Sequence, residues 1–121
     1  MSIVWQYLDK KGAAMNALKD YSSMQYILTH TNENVVTHLE QNNVLQERYR
    51  QAVEYMDWFL PAWEALSADE QFVLRAFYLE EGQKQIDAIY TICEHFHIER
   101  SSAYNKKNRA LQHLALLLYG K

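Results

Sequence analysis

The side chains most suited to chemistry lie in the last fifth of the 121-residue chain, after Ile98. Amide and hydroxyl side chains recur there at positions i, i+4, i+7 and i+11: Ser101, Asn105, Asn108 and Gln112. Four cations flank them: Arg100, Lys106, Lys107 and Arg109. On a helix, this spacing places polar and cationic groups on one side, which suits a polar, anionic surface such as nucleic acid. The simpler alternative is a solvated helix face.

Charge is distributed unevenly along the chain. Residues 99–121 carry five Lys or Arg and one Glu, a balance of +4, whereas residues 1–98 have a balance of −7, and the total is −3. Such an asymmetry is typical of a chain that contacts nucleic acid at one end. The acidic total does not exclude DNA binding, because the local field governs the encounter.

Composition favours a helical protein. Three Gly and one Pro are too few for a β protein with many turns, and 49% hydrophobic residues can form a core. The length suits one domain, or a small domain with a helical extension. The chain shows neither an apolar run of transmembrane length nor a signal peptide, so we expect a cytoplasmic protein with no membrane contact. Its one cysteine, Cys93, excludes an internal disulfide framework.

Other chemistries receive little support from the sequence. Cys93, His95 and His97 lie at i, i+2 and i+4, a spacing that scatters ligands around a helix axis, so no metal site is expected. No glycine-rich phosphate loop or nucleophile–base motif is present. We therefore expect neither an enzyme nor a bound cofactor.

The first half of the chain predicts two or three amphipathic helices. Apolar residues over positions 3–30 follow a 3.6-residue period that Gly12 could interrupt, and a short helix is expected over Val35–Leu39. A long helix should run from about Val44 to Phe59, with Pro61 ending or kinking it near Leu60. A dense group of aromatic residues in this region is interpreted as core: Tyr49, Tyr55, Trp58, Phe59 and Trp63.

Three shorter helices are predicted in the second half. Ser67 and Glu70 form a capping box that opens a helix closing near Glu80–Gly82. The next helix covers Gln85–His95, with four apolar side chains inward: Ile86, Ile89, Ile92 and Phe96. After a break of about four residues, the last helix carries an apolar stripe: Ala103, Ala110, Leu111, Leu114, Leu117 and Leu118. Gly120 stands where a helix commonly ends.

Two helices joined by such a break match the helix-turn-helix plan. Leu66–Arg75 parallels the pattern L-x-x-x-E-x-x-V-L-R, Ile92–Ile98 parallels I-G-E-x-L-G-[VI], and Arg109–Leu114 matches R-A-L-x-x-L. With these motifs, the segment 66–121 resembles region 4 of the sigma-70 family, which reads promoter −35 elements. The whole chain is also similar to small phage regulators of the ArpU- and RinA-like class. His97 replaces a family glycine, and Glu99 replaces the usual Ser or Thr cap.

The resemblance implies roles for individual residues. Four side chains near the start of the last helix would read base edges: Ser101, Ser102, Tyr104 and Asn105. The four flanking cations would contact phosphates: Arg100, Lys106, Lys107 and Arg109. About four phosphate contacts give a log–log salt slope of only about −3.6. We therefore expect weak binding by a monomer, strengthened by homodimerisation or by RNA polymerase.

The sequence thus predicts an all-α protein with two parts. Residues 1–65 form a helical region for dimerisation or partner binding, and residues 66–121 form a sigma region 4-like helix-turn-helix domain. The expected function is sequence-specific binding of double-stranded DNA by a phage or prophage regulator that activates viral genes. One alternative is a sigma-like protein that binds core RNA polymerase and redirects or inhibits it. Another is a structural helical assembly protein.

Overall fold

The computed structural model describes residues 3–30, 43–80 and 84–120, and these residues contain helices and no strand, which confirms the all-α prediction. The helices, in chain order, are α1 (Ile3–Thr29), α2 (Asn43–Ala65), α3 (Ala68–Leu74), α4 (Gln85–Phe96) and α5 (Arg100–Tyr119). A π-helical turn, Arg75–Leu79, continues α3. The short helix predicted over Val35–Leu39 lies outside the described residues.

The two long helices pass through the residues expected to interrupt them. Helix α1 continues through Gly12, and α2 continues past Pro61 to Ala65, so the predicted end at Leu60 is wrong. Proline removes the amide that would bond to the carbonyl of Asp57. Because Pro61 and Asp57 are both exposed, water can satisfy that carbonyl, which reduces the cost of continuing the helix.

The predicted capping box opens α3. The Ser67 hydroxyl accepts a hydrogen bond from the Glu70 amide at 3.1 Å, and Glu70 Oε1 accepts one from the Ser67 amide at 2.8 Å. The π-helical turn closes with a bond from the Glu80 amide to the Arg75 carbonyl at 3.1 Å. Glu80 itself is extended, close to the predicted end of this segment.

A larger core cluster joins α1, α2, α3 and the second half of α5. Its buried members are Ala14, Ala17, Leu18, Phe59, Ala62, Trp63, Leu66, Leu74, Ala110, Leu111, Leu114, Ala115 and Leu118. Of the aromatic residues predicted to be core, Phe59 and Trp63 are buried, whereas Trp58 is 40% exposed and donates to the Leu118 carbonyl at 3.2 Å. The cluster crosses the predicted boundary at residue 65, so the two regions share one core.

A smaller core cluster holds α4 and the first turns of α5 against α3 and the π-helical turn. Its buried members are Val73, Ala76, Ala88, Ile89, Ile92 and Ala103. Two expected core residues are outside: Ile86 is 53% exposed and Leu117 is 38% exposed. With about 100° of rotation per residue, Ile86 lies well to one side of the face formed by Ala88, Ile89 and Ile92. Neighbouring helices cover that face and leave Ile86 in solvent.

Candidate nucleic-acid interface

A tight turn of three residues joins α4 to α5. His97 adopts the left-handed conformation, with φ 56°, without the glycine usual there. The Ile98 amide then bonds to the Cys93 carbonyl at 3.1 Å, as in a Schellman-type helix end. Both Ile98 and Cys93 pack on the smaller cluster. The turn therefore fixes the direction in which α5 leaves α4, even with histidine at the glycine position.

The first turn of α5 begins without a side-chain cap. Glu99 stands at the cap position, in place of the usual Ser or Thr, and its side chain makes no capping bond. The first bond of the helix runs from the Ala103 amide to the Glu99 carbonyl at 3.1 Å. The preceding amides are left to water or to an anion, because a helix has no partner for its first donors.

The candidate base-reading residues fall into two groups. Ser101 and Asn105 are exposed one turn apart, and Ser102 beside them is half-buried. Tyr104 is also half-buried, since its ring packs on the smaller cluster with its centroid 6.4 Å from that of Phe77. Ser101 and Asn105 thus lie together on the outer side of α5, whereas Tyr104 belongs partly to the core.

The candidate phosphate-binding residues also differ from one another. Arg100 and Arg109 are exposed, and within the described part of the chain neither side chain forms an ion pair or hydrogen bond. The Lys106 ammonium lies 4.5 Å from the centre of the Phe96 ring, a cation–π contact. These three cations are thus accessible at the surface of α5.

Lys107 lies on a different side of the helix. Its ammonium stands over two rings, 4.9 Å from the centre of Phe77 and 5.4 Å from that of Tyr104. Burial, together with the charge of Lys11, lowers the pKa of Lys107. The Lys107 ammonium therefore lies toward α1 and the π-helical turn rather than pointing outward.

We name the exposed line of Ser101, Asn105 and Arg109 the reading ridge. These residues follow one another at i, i+4 and i+8, so they stand nearly above one another on the outer side of α5. The buried residues of the helix occupy the opposite side. The ridge is consequently free of packing while the helix behind it is held by both clusters.

Carboxylates border one side of the ridge. A groove beside it is lined by Asp69 and Glu70 from α3 and by Lys106 and Arg109 from α5. Glu70 is engaged internally, because one oxygen closes the capping box and the other lies 2.7 Å from His113 Nδ1. Both carboxylates would oppose a phosphate in this groove, and Asp69 is the more exposed of the two.

Sequence reasoning missed the contribution of α1 to this region. Lys11 donates to the side-chain oxygen of Asn108 at 2.9 Å, and Lys10 donates to the Gly120 carbonyl at 2.8 Å. Asn108, expected on the outer face with Asn105, thus contacts α1. Lys11 and Asn108 are 97 positions apart. A contact between residues so distant in sequence leaves no periodic signal by which it could be found.

Cys93, His95 and His97, the residues with possible metal ligands, lie in different surroundings. The His95 ring stacks on Phe72 with centroids 3.9 Å apart, Cys93 is half-buried in the smaller cluster, and His97 is exposed in the turn. The described residues contain no group of three or more His, Cys, Asp or Glu placed to hold a metal ion. None of the described helices is long and apolar enough to cross a membrane.

Comparison of the chain with models of known protein families, with curated proteins and with solved structures gives no match.

Proposed function

We propose that the protein binds double-stranded DNA sequence-specifically and regulates transcription, as a sigma-like activator of phage or prophage genes. The observation that carries the proposal is the reading ridge: Ser101, Asn105 and Arg109 are exposed along one side of a helix whose other side is buried. A helix presented in this way fits the major groove, which is about 12 Å wide.

The chemistry of the ridge suits base edges and phosphates. An asparagine amide matches the donor and acceptor of adenine, and a serine hydroxyl can pair with either kind of group. Arg109 and Arg100, with no partner among the described residues, are able to bind phosphate oxygens through their guanidinium groups. Asn105 would therefore contribute mainly to specificity, and the arginines mainly to affinity.

The number of outward cations limits affinity. Arg100, Lys106 and Arg109 supply three phosphate contacts, which lowers the expected salt slope to about −2.7. Proteins with six to ten contacts depend on salt far more steeply. A second protomer or RNA polymerase would supply the additional binding energy at physiological salt.

The test begins with selection from a random duplex library, with and without RNA polymerase, followed by fluorescence anisotropy on the selected site. We expect Asn105→Ala to cost about 1–3 kcal/mol on the selected site and little on unrelated DNA. Replacing Arg100 and Arg109 together with alanine should weaken binding to all sequences and reduce the salt slope by about 1.8.

Arg48→Ala is the matched control, because Arg48 is an exposed arginine on α2, distant in sequence from the ridge. It should leave affinity and slope unchanged. Circular dichroism of each variant separates loss of binding from loss of folding. Enrichment of no sequence under either condition, or equal binding by the folded ridge variants and the wild type, would refute the proposal.

A further inference from the structure

Two lysines from distant parts of the chain meet beside the reading ridge. Lys11 of α1 donates to the Asn108 side chain at 2.9 Å, and the neighbouring residue, Lys107, places its ammonium over the rings of Phe77 and Tyr104. We call Lys11 and Lys107 the lysine pair. The groups that contact the two ammonium groups are an amide oxygen and two aromatic rings, all of which are neutral.

The lysine pair carries uncompensated positive charge. Among the described residues, no carboxylate lies within ion-pairing distance of either ammonium. Lys11 is held at Asn108, the residue next to Lys107, so the two cations are close enough to repel each other. Burial and this neighbouring charge both lower the pKa of Lys107. Such repulsion is relieved when an anion binds between the charges.

The lysine pair also retains donors for an anion. An ammonium group has three N–H donors and no acceptor. Lys11 directs one donor to Asn108, which fixes the position of the ammonium and leaves the others free to bind oxygen atoms. A phosphate group would compensate the positive charge of the lysine pair, and its several oxygens would accept hydrogen bonds from the free N–H donors.

The position of the lysine pair relative to the reading ridge indicates which phosphate of DNA the pair would bind. Viewed down α5, Asn108 lies about 60° and Tyr104 about 100° to one side of Asn105, and Lys106 lies about 100° to the other side. Lys107 leaves the helix about 160° from Asn105, on the same side as Tyr104, and its ammonium lies over the Tyr104 ring. A helix in the major groove has one DNA backbone on each side. Lys106 and the lysine pair therefore lie on the two sides where these backbones would run.

We infer that Lys11 and Lys107 form an anion site that binds a backbone phosphate of DNA, on the side of α5 opposite Lys106. This inference rests on the proposed function for the identity of the ligand. It adds a fourth phosphate contact that includes α1, so DNA binding would depend on a residue outside the helix-turn-helix segment.

The first experiment compares Lys11→Met with Lys19→Met by fluorescence anisotropy over a range of salt concentrations. Methionine removes the charge but keeps an unbranched apolar stem, and Lys19 is an exposed lysine on the same helix. Lys11→Met should raise Kd about threefold to tenfold and reduce the salt slope by about 0.9, with no change for Lys19→Met. Equal slopes for Lys11→Met and the wild type, in a protein that binds DNA, would overturn the inference and leave the proposed function standing.

A second experiment tests the anion site without DNA. Thermal unfolding is followed in inorganic phosphate and in chloride at matched ionic strength. Phosphate stabilises folded proteins in general, so the test is the difference between variants: it should raise the Tm of the wild type and of Lys19→Met by more than that of Lys11→Met. If DNA binding fails and this difference persists, the site takes free phosphate and the proposed function is wrong. An identical response of all three proteins would overturn the site itself.

Discussion

The two halves of α5 have opposite surroundings within one continuous helix. In the first half, Arg100–Arg109, the buried residue is Ala103, and the half carries every cation of the helix. In the second half, Ala110–Tyr119, five residues are buried and none is Lys or Arg: Ala110, Leu111, Leu114, Ala115 and Leu118. The first half presents side chains, and the second half anchors the helix.

This difference shows how a small protein can hold the exposed, polar side of one helix rigidly. The second half packs on α1, α2 and α3, whereas the first half rests on the smaller cluster with α4. Because the helix is continuous, anchoring at one end fixes the orientation of the polar side chains at the other. Substitutions in the anchoring half should therefore change stability, and substitutions on the ridge should change binding.

Of the substitutions that test this comparison, Leu114→Ala should have the largest effect. Leu114 is fully buried in the larger cluster, so truncation leaves a cavity and should lower the free energy of unfolding by about 2–5 kcal/mol. Urea denaturation measures the change. At a temperature where the variant stays folded, its Kd for DNA should remain close to that of the wild type.

Leu116→Ala is the matched control within the same half of α5. Leu116 is 50% exposed, so the same truncation should change stability by no more than about 0.5 kcal/mol. Equal losses from the two leucines would show that the second half is not anchored as described.

Local sequence signals predicted where helices begin and end better than which of their side chains neighbouring helices would bury. The Ser67 capping box and the span of α5 follow from short-range patterns, and both are confirmed. Periodicity predicts that apolar residues share one side of a helix, but it does not predict how much of that side neighbouring helices bury. The prediction that Ile86 and Leu117 are buried was therefore wrong. The sequence also left open whether Pro61 would end or kink α2, because its continuation to Ala65 depends on solvent access at that turn.

The same division applies to the candidate site. Ser101 and Asn105 lie on one helix, so their spacing alone predicted a shared exposed side. The orientation of Lys107 and the approach of Lys11 depend on how α1 packs on α5, which no local pattern encodes. Tyr104 was assigned to base reading from the resemblance alone, and its half-buried ring reflects packing that only the fold determines.

The next largest effect is expected from Ser67→Ala. The substitution removes a capping acceptor from the start of α3, the helix that carries Val73 into the smaller cluster and Leu74 into the larger one. We expect a loss of about 1 kcal/mol in the free energy of unfolding, measured by urea denaturation. Ser23→Ala, at an exposed position within α1, should be neutral or slightly stabilising. A neutral result for Ser67→Ala would exclude a stabilising role for the cap.

The smallest effect concerns Glu70, which connects the start of α3 to His113 in the anchoring half of α5. Burial raises the pKa of Glu70, but hydrogen bonds from the Ser67 amide and His113 outweigh it and hold the pKa below its ordinary value of 4.5. A carboxylate with a lowered pKa stabilises the folded state above that ordinary value, and the contribution is lost as pH falls through the lowered pKa. Wild-type stability should therefore decline below about pH 4.5.

Glu70→Gln separates this charge from the cap, because glutamine can also close a capping box. Urea denaturation between pH 7 and pH 3 should show a shallower acid decline in Glu70→Gln than in the wild type. The difference should be smaller than the effect of Ser67→Ala, since His113 is 40% exposed and solvent screens its charge. Asp69→Asn, which removes an exposed carboxylate next to Glu70, should follow the wild-type profile more closely. If Glu70→Gln and the wild type decline in parallel, the contact between Glu70 and His113 contributes no charge-dependent stability to the anchoring of α5.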